Sequence, residues 1–451
     1  MKTKNLIFLL VSVGLIFVSC GKQQQQAEKE NCTVVPVEWS RNAIMYEVNT
    51  RQFTPEGTFE AFMAHLPRLQ KLGVDILWFM PIHPICETNR KGTLGSYYAI
   101  SDYKGINPEF GTHEDFRRLV NKAHEMGFKV ILDWVANHTG FDHHWLTEHP
   151  EWYDRDENGD LISPHDWTDV AQLDFSNQDL RVAMLDAMKF WVREFNIDGF
   201  RADVAYMVPT DFWNHARQEL MKIRPIFMLA EAERPELLEH AFDMDYNWKL
   251  MHLMQEVAEG ERNANDIYEL IRYQEARYCP DTFRMNFLTN HDENSWSGTE
   301  FERYGDGVSA FAVLTYILPG MPLIYTGQEA GMKIRLEFFE KDEVPCWEIN
   351  EYFYFYQTLN RLKRYHPALL AGTAGGDLVR INTTDNENVL ILSRTRGNEQ
   401  VIAFLNLSDN AVEYQITDQI RSNTFTELFS NETYTEFPTV LQAWGYKVLV
   451  R

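Results

Sequence analysis

The strongest constraint on this chain's fold is a repeating pair, a short apolar run followed by an amphipathic stretch, between Ile44 and Tyr325. Strand-like runs occupy Met45–Phe53, Val74–Met80, Lys129–Val135, Asp198–Val204, Ile226–Ala230, Phe242–Tyr246, Thr282–Leu288 and Pro322–Tyr325. Helical patterns such as Thr58–Leu72, His113–Met126 and Gln178–Phe195 lie between them. Runs that are apolar throughout suit strands buried on both faces of a parallel sheet. Eight such strands alternating with helices predict an α/β fold, a (β/α)8 TIM barrel.

The acidic residues sit where barrel chemistry collects. Asp133 in VILDWVANH, Asp203 in GFRADV, Glu231 in IFMLAEAE and Asp292 in FLTNHDEN each stand where an apolar run stops. Active sites of such barrels gather at the C-terminal ends of the strands. Several carboxylates with histidines and an arginine at one rim point to sugar-acetal chemistry, in which one carboxylate attacks and a second donates a proton. Asp203 follows Arg201 closely, and a guanidinium there favours an ionised nucleophile. Glu231 follows the apolar run Ile226–Ala230, where desolvation favours the protonated acid.

Two further features describe the rest of the chain. Residues 139–173 form a long connection after the third strand, predicted as a loop excursion over the rim because it lacks a helical period. Beyond His366-Pro367 the pattern changes to short alternating runs, Asn388–Ser393, Gln400–Leu405, Ala411–Ile416 and Tyr446–Val450, separated by turn residues. These predict a C-terminal antiparallel β-sandwich over 367–451, after a catalytic barrel over 39–366.

The net charge of −24 repels a phosphate backbone, which argues against nucleic acid as a partner. At the N-terminus Lys2 and Lys4 precede an apolar run from Leu6 to Val18, the layout of a signal peptide over 1–19. Ser19-Cys20-Gly21 resembles a bacterial lipobox. That resemblance implies cleavage before Cys20, lipid attachment there, and a membrane-anchored lipoprotein in the periplasm or on the cell surface. The polar, Gln-rich segment that follows reads as part of a tether over 20–38. Cys32, Cys86, Cys279 and Cys346 are scattered, without a C-x-x-C pair, and are expected as isolated thiols.

Taken together, the segments resemble the α-amylase family of glycoside hydrolases. The family's motifs appear in order as DWVANH from Asp133 to His138, GFRADV from Gly199 to Val204, Glu231 in LAEAE, and NHDEN from Asn290 to Asn294. A minor motif appears as QLDF from Gln172 to Phe175. The resemblance covers about residues 40–451. It implies Asp203 as nucleophile, Glu231 as general acid/base and Asp292 as the third carboxylate, with Tyr98, His138, Arg201 and His291 at the bound sugar. Tyr98 is the aromatic expected to stack under that sugar, although Tyr97 is its neighbour. Asp133 is expected to order the rim.

The expected substrate is a starch-derived α-glucan or maltooligosaccharide with α-1,4 bonds. The alternatives are an α-glucosidase, an α-1,6-acting enzyme or a glucan transglycosylase, and, from another class, a non-catalytic glycan-binding or partner subunit. That last reading conflicts with the presence of all three carboxylates. Two departures from the family pattern bear on metal and linkage. Tyr206-Met207 stands where many members carry Lys-His, a pair whose His carbonyl ligates calcium in those relatives. Asn137 matches another calcium-ligand position. The resemblance therefore implies no required cofactor and leaves a structural calcium with thin support. Val204 is found beside the nucleophile in some α-1,6-acting relatives, which leaves linkage open.

Overall fold

The structure is a computed structural model that describes residues 32–420 and 423–451. The expected signal peptide and the lipid-bearing Cys20 lie outside the described residues.

Eight parallel strands close into a barrel. They are β1 (Met45–Val48), β2 (Ile76–Phe79), β3 (Lys129–Trp134), β4 (Gly199–Ala202), β5 (Phe227–Ala230), β6 (Met244–Tyr246), β7 (Phe283–Asn286) and β8 (Met321–Tyr325). Each pairs with its neighbours in chain order, and β8 returns to β1. Nearly every strand residue is buried, as expected from runs without polar alternation.

Local chemistry sets where the elements stop. The first expected strand ends early, at Val48, because the Asn49 side chain accepts from the Gln52 N–H and caps a short helix, Thr50–Phe53. The expected helix over Thr58–Leu72 divides into Phe59–Met63 and Leu66–Leu72, with Pro67 in the first turn of the second piece. Proline lacks the N–H that would continue a helix through that point. His113–Glu125 starts at a reciprocal capping box between Thr112 and Asp115. Gln178–Phe195 forms as expected.

The excursion after β3 is more ordered than its sequence pattern suggests. His138–Gly140 pairs antiparallel with Val170–Gln172, and a short helix, His144–Glu148, lies between them. Elements this short fall below the length over which periodicity can be read.

The helix Glu351–Tyr365 leads into a six-stranded antiparallel sheet that starts at Asp377 and ends at Val450. Val412–Glu413 pairs separately with Val440–Leu441, so the expected strand Ala411–Ile416 shrinks to two residues near its start. Leu390, Leu392, Val401 and Ala403 join the barrel's hydrophobic core, while Ile391, Ile402 and Phe404 face a second small core. That alternation gives the sheet two buried faces.

One sequence expectation is overturned. Cys32 and Cys279 form a disulfide, with Cα atoms 5.9 Å apart, that fastens the start of the described chain beside the helix Ala264–Arg277. Their separation of 247 residues hides the pairing from any reading of local spacing. Cys86 and Cys346 are free, the first buried and the second exposed.

Candidate active site

The barrel delivers the acidic residues to one rim. Asp133 lies near the end of β3 in register with Arg201 on β4. Asp203 follows β4, and its N–H donates to the Trp134 carbonyl, 3.0 Å away. Glu231 follows β5, with its N–H donating to the Ala202 carbonyl at 3.0 Å. Gly199 permits this approach of β4 to β5. A Cβ there would lie 2.1 Å from the Phe227 carbonyl oxygen.

Arg201 organises the centre and is fully buried. Its Nη1 donates to Asp133 Oδ1 at 2.9 Å and to Asp203 Oδ1 at 2.8 Å. Its Nε donates to the Tyr246 hydroxyl at 3.1 Å. Nη2 is 3.0 Å from Glu231 Oε2, an ion-pair contact that is off the hydrogen-bond direction. The same Glu231 oxygen accepts a well-formed bond from the Val204 N–H at 2.7 Å. Val204 has φ 34° and ψ 48°. A β-branched residue in that left-handed region is strained. The strained turn directly after Asp203 thus aims a backbone donor at Glu231.

Burial dominates the proton affinities. It pushes Glu231 up to about 7, with Arg201 opposing and Asp203 adding like-charge repulsion. Burial likewise pushes Asp203 up to about 6, with Arg201 opposing and Asp133 reinforcing. Arg201 favours the ionised form of Asp203, as expected from its position, while burial and Asp133 act against it. Asp133 also rises to about 6 for the same primary reason. Glu231 remains the weaker acid of the pair at the rim.

The fourth motif supplies a second charged relay. Burial disfavours a charged His291, yet Asp292 and Glu47 together raise its ring well above the ordinary imidazole range. Its Nδ1 meets Glu47 on β1, and its Nε2 lies 3.2 Å from Asp292 Oδ2. Burial works against the Asp292 charge, but His291 holds that carboxylate below its usual range. The Tyr98 hydroxyl is 2.7 Å from His291 Nε2 and donates to Asp133 Oδ2 at 3.1 Å.

Tyr98 is distinguished from its neighbour by environment. Its ring clusters with those of His291 and Phe338, all three within contact of one another, and lines the cavity above the carboxylates. The Tyr97 ring is buried under Arg51, and its hydroxyl donates to Asn49. His138 also lines the cavity, with its ring 5.5 Å from Trp167. Burial lowers its pKa to about 3, so it presents a neutral ring. Asp133 accepts from Trp78 Nε1, Arg201 and Tyr98, the bonds of a rim organiser.

The structure thus brings Asp203, Glu231, Asp292, Tyr98, His138 and His291 around one cavity of about 390 Å³, with Arg201 directly beneath. Another cavity, about 560 Å³, lies between the barrel and the C-terminal sheet and is lined by none of these residues. Sequence reading misses Glu47, Tyr246 and the cavity-lining residues Lys91, Trp167, Asp169, Trp296 and Phe338. Glu47 does carry a signal, as the one acid inside the buried strand MYEV.

The two positions that bear on calcium have these surroundings. The Asn137 side-chain amide lies against His138 Nδ1 at 3.2 Å, and the Tyr206 ring lies under the Arg234 guanidinium. Among the described residues, no group of three His, Cys, Asp or Glu side chains is placed to hold a metal ion.

Residues 25–167 and 150–352 match the family described as alpha-amylase, catalytic domain. The chain belongs to the α-amylase family. Among solved structures, an alpha-amylase from Lactobacillus plantarum is 31% identical with a TM-score of 0.82, over 91% of this chain and 99% of that one. The alpha-amylase MalA of Haloarcula japonica is 28% identical over 388 residues, 82% of this chain and 56% of its own length. An alpha-1,4-glucan:maltose-1-phosphate maltosyltransferase of Salinibacter ruber is 27% identical over 433 residues, 86% of this chain and 63% of its own. This α-amylase-family chain thus spans less than two thirds of both curated relatives.

Proposed function

We propose that the protein is a retaining glycosidase that cleaves α-glucosidic bonds, α-1,4 first, in starch-derived glucans or maltooligosaccharides. The observation that carries this reading is the single buried guanidinium of Arg201 gripping both Asp203 and Glu231. Two carboxylates held on one guanidinium suit the separation of about 5–5.5 Å that a retaining pair uses. Asp203, the stronger acid, attacks the anomeric carbon, while protonated Glu231 gives its proton to the departing glycosidic oxygen. Glu231, now ionised, takes a proton from water. That water displaces Asp203, so two inversions leave the anomeric configuration unchanged. Asp292 holds sugar hydroxyls, and the contact tightens as the ring flattens. His138 and His291 hold hydroxyls of the same sugar, and Tyr98 lies under its face.

A second reading follows from the maltosyltransferase relative. If a sugar hydroxyl replaces water in the second step, the same residues carry out transfer. The test is a product profile on amylose, maltotriose, pullulan and isomaltose. Amylose and maltotriose are expected to release short sugars, with pullulan and isomaltose poorer substrates. Preferential cleavage of isomaltose would overturn the linkage assignment. Tyr206-Met207 stands in place of the pair associated with a calcium site, and neither chemical step uses a metal, so excess EDTA is expected to leave rate and melting temperature nearly unchanged. A fall of many degrees, restored by added calcium, would contradict this.

We infer separately that the protein is exported and lipidated at Cys20. The lipobox-like sequence supports both steps, and the Cys32–Cys279 disulfide supports export alone, because such bonds persist in oxidising compartments. The protein is expected to partition with membranes, and Cys20→Ala is expected to release it or block processing. A fully soluble wild type with an unmodified N-terminus would refute lipidation.

A further inference from the structure

The glucan-hydrolase reading leaves open whether chains pass through the cleft or enter it end first. Loops around the cavity bear on this. Lys91, in the connection after β2, reaches across to the excursion, with Nζ 3.2 Å from Asp169 Oδ1. The Thr88 N–H beside it donates to Asp142 Oδ2 at 2.8 Å. On its other side the same connection is tied to the segment after β8. The Leu94 N–H donates to the Phe339 carbonyl at 3.1 Å, and the Thr93 N–H to Glu340 Oε1 at 2.9 Å. That segment is tied in turn to the stretch bearing Asp292, where the Leu336 N–H donates to Asn294 Oδ1 at 2.9 Å. The rim is therefore laced continuously from the excursion to Asp292.

The opposite side differs. Glu231 must face the leaving group, because it gives that group its proton. Tyr206 and Arg234 flank that side, and both are exposed. Lys91 and Asp169 line the same cavity as Tyr98, His138 and His291, whereas Tyr206 and Arg234 lie outside its lining. The Asp169 side chain is only 6% exposed, so this contact closes the wall rather than decorating it. The cavity of about 390 Å³ lies at the small end of the usual pocket range of about 300–1,000 Å³. That is room for a short sugar unit.

Resting on the hydrolase reading above, we propose that the cleft is blind on the glycone side. The Lys91–Asp169 ion pair closes it, so the enzyme takes α-glucans by their non-reducing ends and releases short units from them. Lys91 and Asp169 are then specificity-determining residues. Because Asp169 is buried, Lys91→Ala leaves its carboxylate without this partner, so a thermal melt accompanies each variant and the double variant removes both charges.

The test uses two maltoheptaosides, one with a free non-reducing end and one with that end capped as a cyclic acetal. The full-length wild type is expected to favour the free-ended substrate by at least about tenfold in kcat/KM. Lys91→Ala, and Lys91→Ala combined with Asp169→Ala, are expected to shrink that ratio at least about fivefold. Equal rates on both substrates with the wild type, or an unchanged ratio in both variants, would overturn the proposal. Failure to cleave either maltoheptaoside would overturn the hydrolase reading itself, and this proposal with it.

Discussion

Replacing Asp203 by asparagine is expected to lower kcat by about 10⁴-fold or more while the barrel stays folded, as losses of this order follow removal of a nucleophile. The amide has the carboxylate's shape but is too poor a nucleophile to form the glycosyl-enzyme bond. Its carbonyl oxygen can still accept from Arg201 Nη1, which at present bonds Asp203 at 2.8 Å. Arg201 also keeps Asp133 at 2.9 Å, so the guanidinium is not left uncompensated. Burial and neighbouring carboxylates already make a charged Asp203 costly, as its rise to about 6 indicates. The melting temperature should therefore change little. Rates on maltooligosaccharides together with a thermal melt decide the matter. A variant within tenfold of wild type would remove Asp203 from the chemistry, and an unfolded one would mark it as structural.

Glu231→Gln is expected to cost about 10²–10⁴-fold on natural glucans, the usual contribution of a general acid. Its signature lies in substrate and pH dependence. An α-maltosyl fluoride departs without needing a proton, so the first step should survive in the variant. The second step then lacks its base, and added azide should restore turnover by capturing the glycosyl-enzyme as an α-azide. In the wild type, Asp203 must be ionised and is active above its pKa of about 6. Glu231 must be protonated and is active below its pKa of about 7. Activity should therefore peak between these values and fall on both sides. The alkaline limb belongs to Glu231 and should vanish when the variant is assayed on the fluoride. A limb that persists would assign the acid to another group.

Much of this was legible before any coordinates. Strands buried on both faces leave apolar runs, and a carboxylate at the end of such a run is conspicuous. That is why Asp133, Asp203 and Glu231 could be read from their positions alone. The roles given to Tyr98, His138 and His291 came through family resemblance instead. What stayed hidden depends on contacts between distant segments. Glu47 meets His291 only because β1 closes the barrel near β7, and one acid in MYEV reads locally as an isolated exception. Lys91 and Asp169 lie in loops without period, and neither has a local partner that signals their meeting across the rim. The Cys32–Cys279 bond is hidden for the same reason. For Asp203, sequence shows the neighbouring Arg201 that favours the charged form, but not the burial that opposes it.

The central claim is a double displacement run by Asp203 and Glu231, and the anomer released first tests it most directly. Proton NMR of a fresh maltooligosaccharide digest, followed faster than mutarotation, should show the α-anomer appearing first and the β-anomer growing in afterwards. Initial release of the β-anomer would mean that a single displacement by water had occurred, and it would contradict the account.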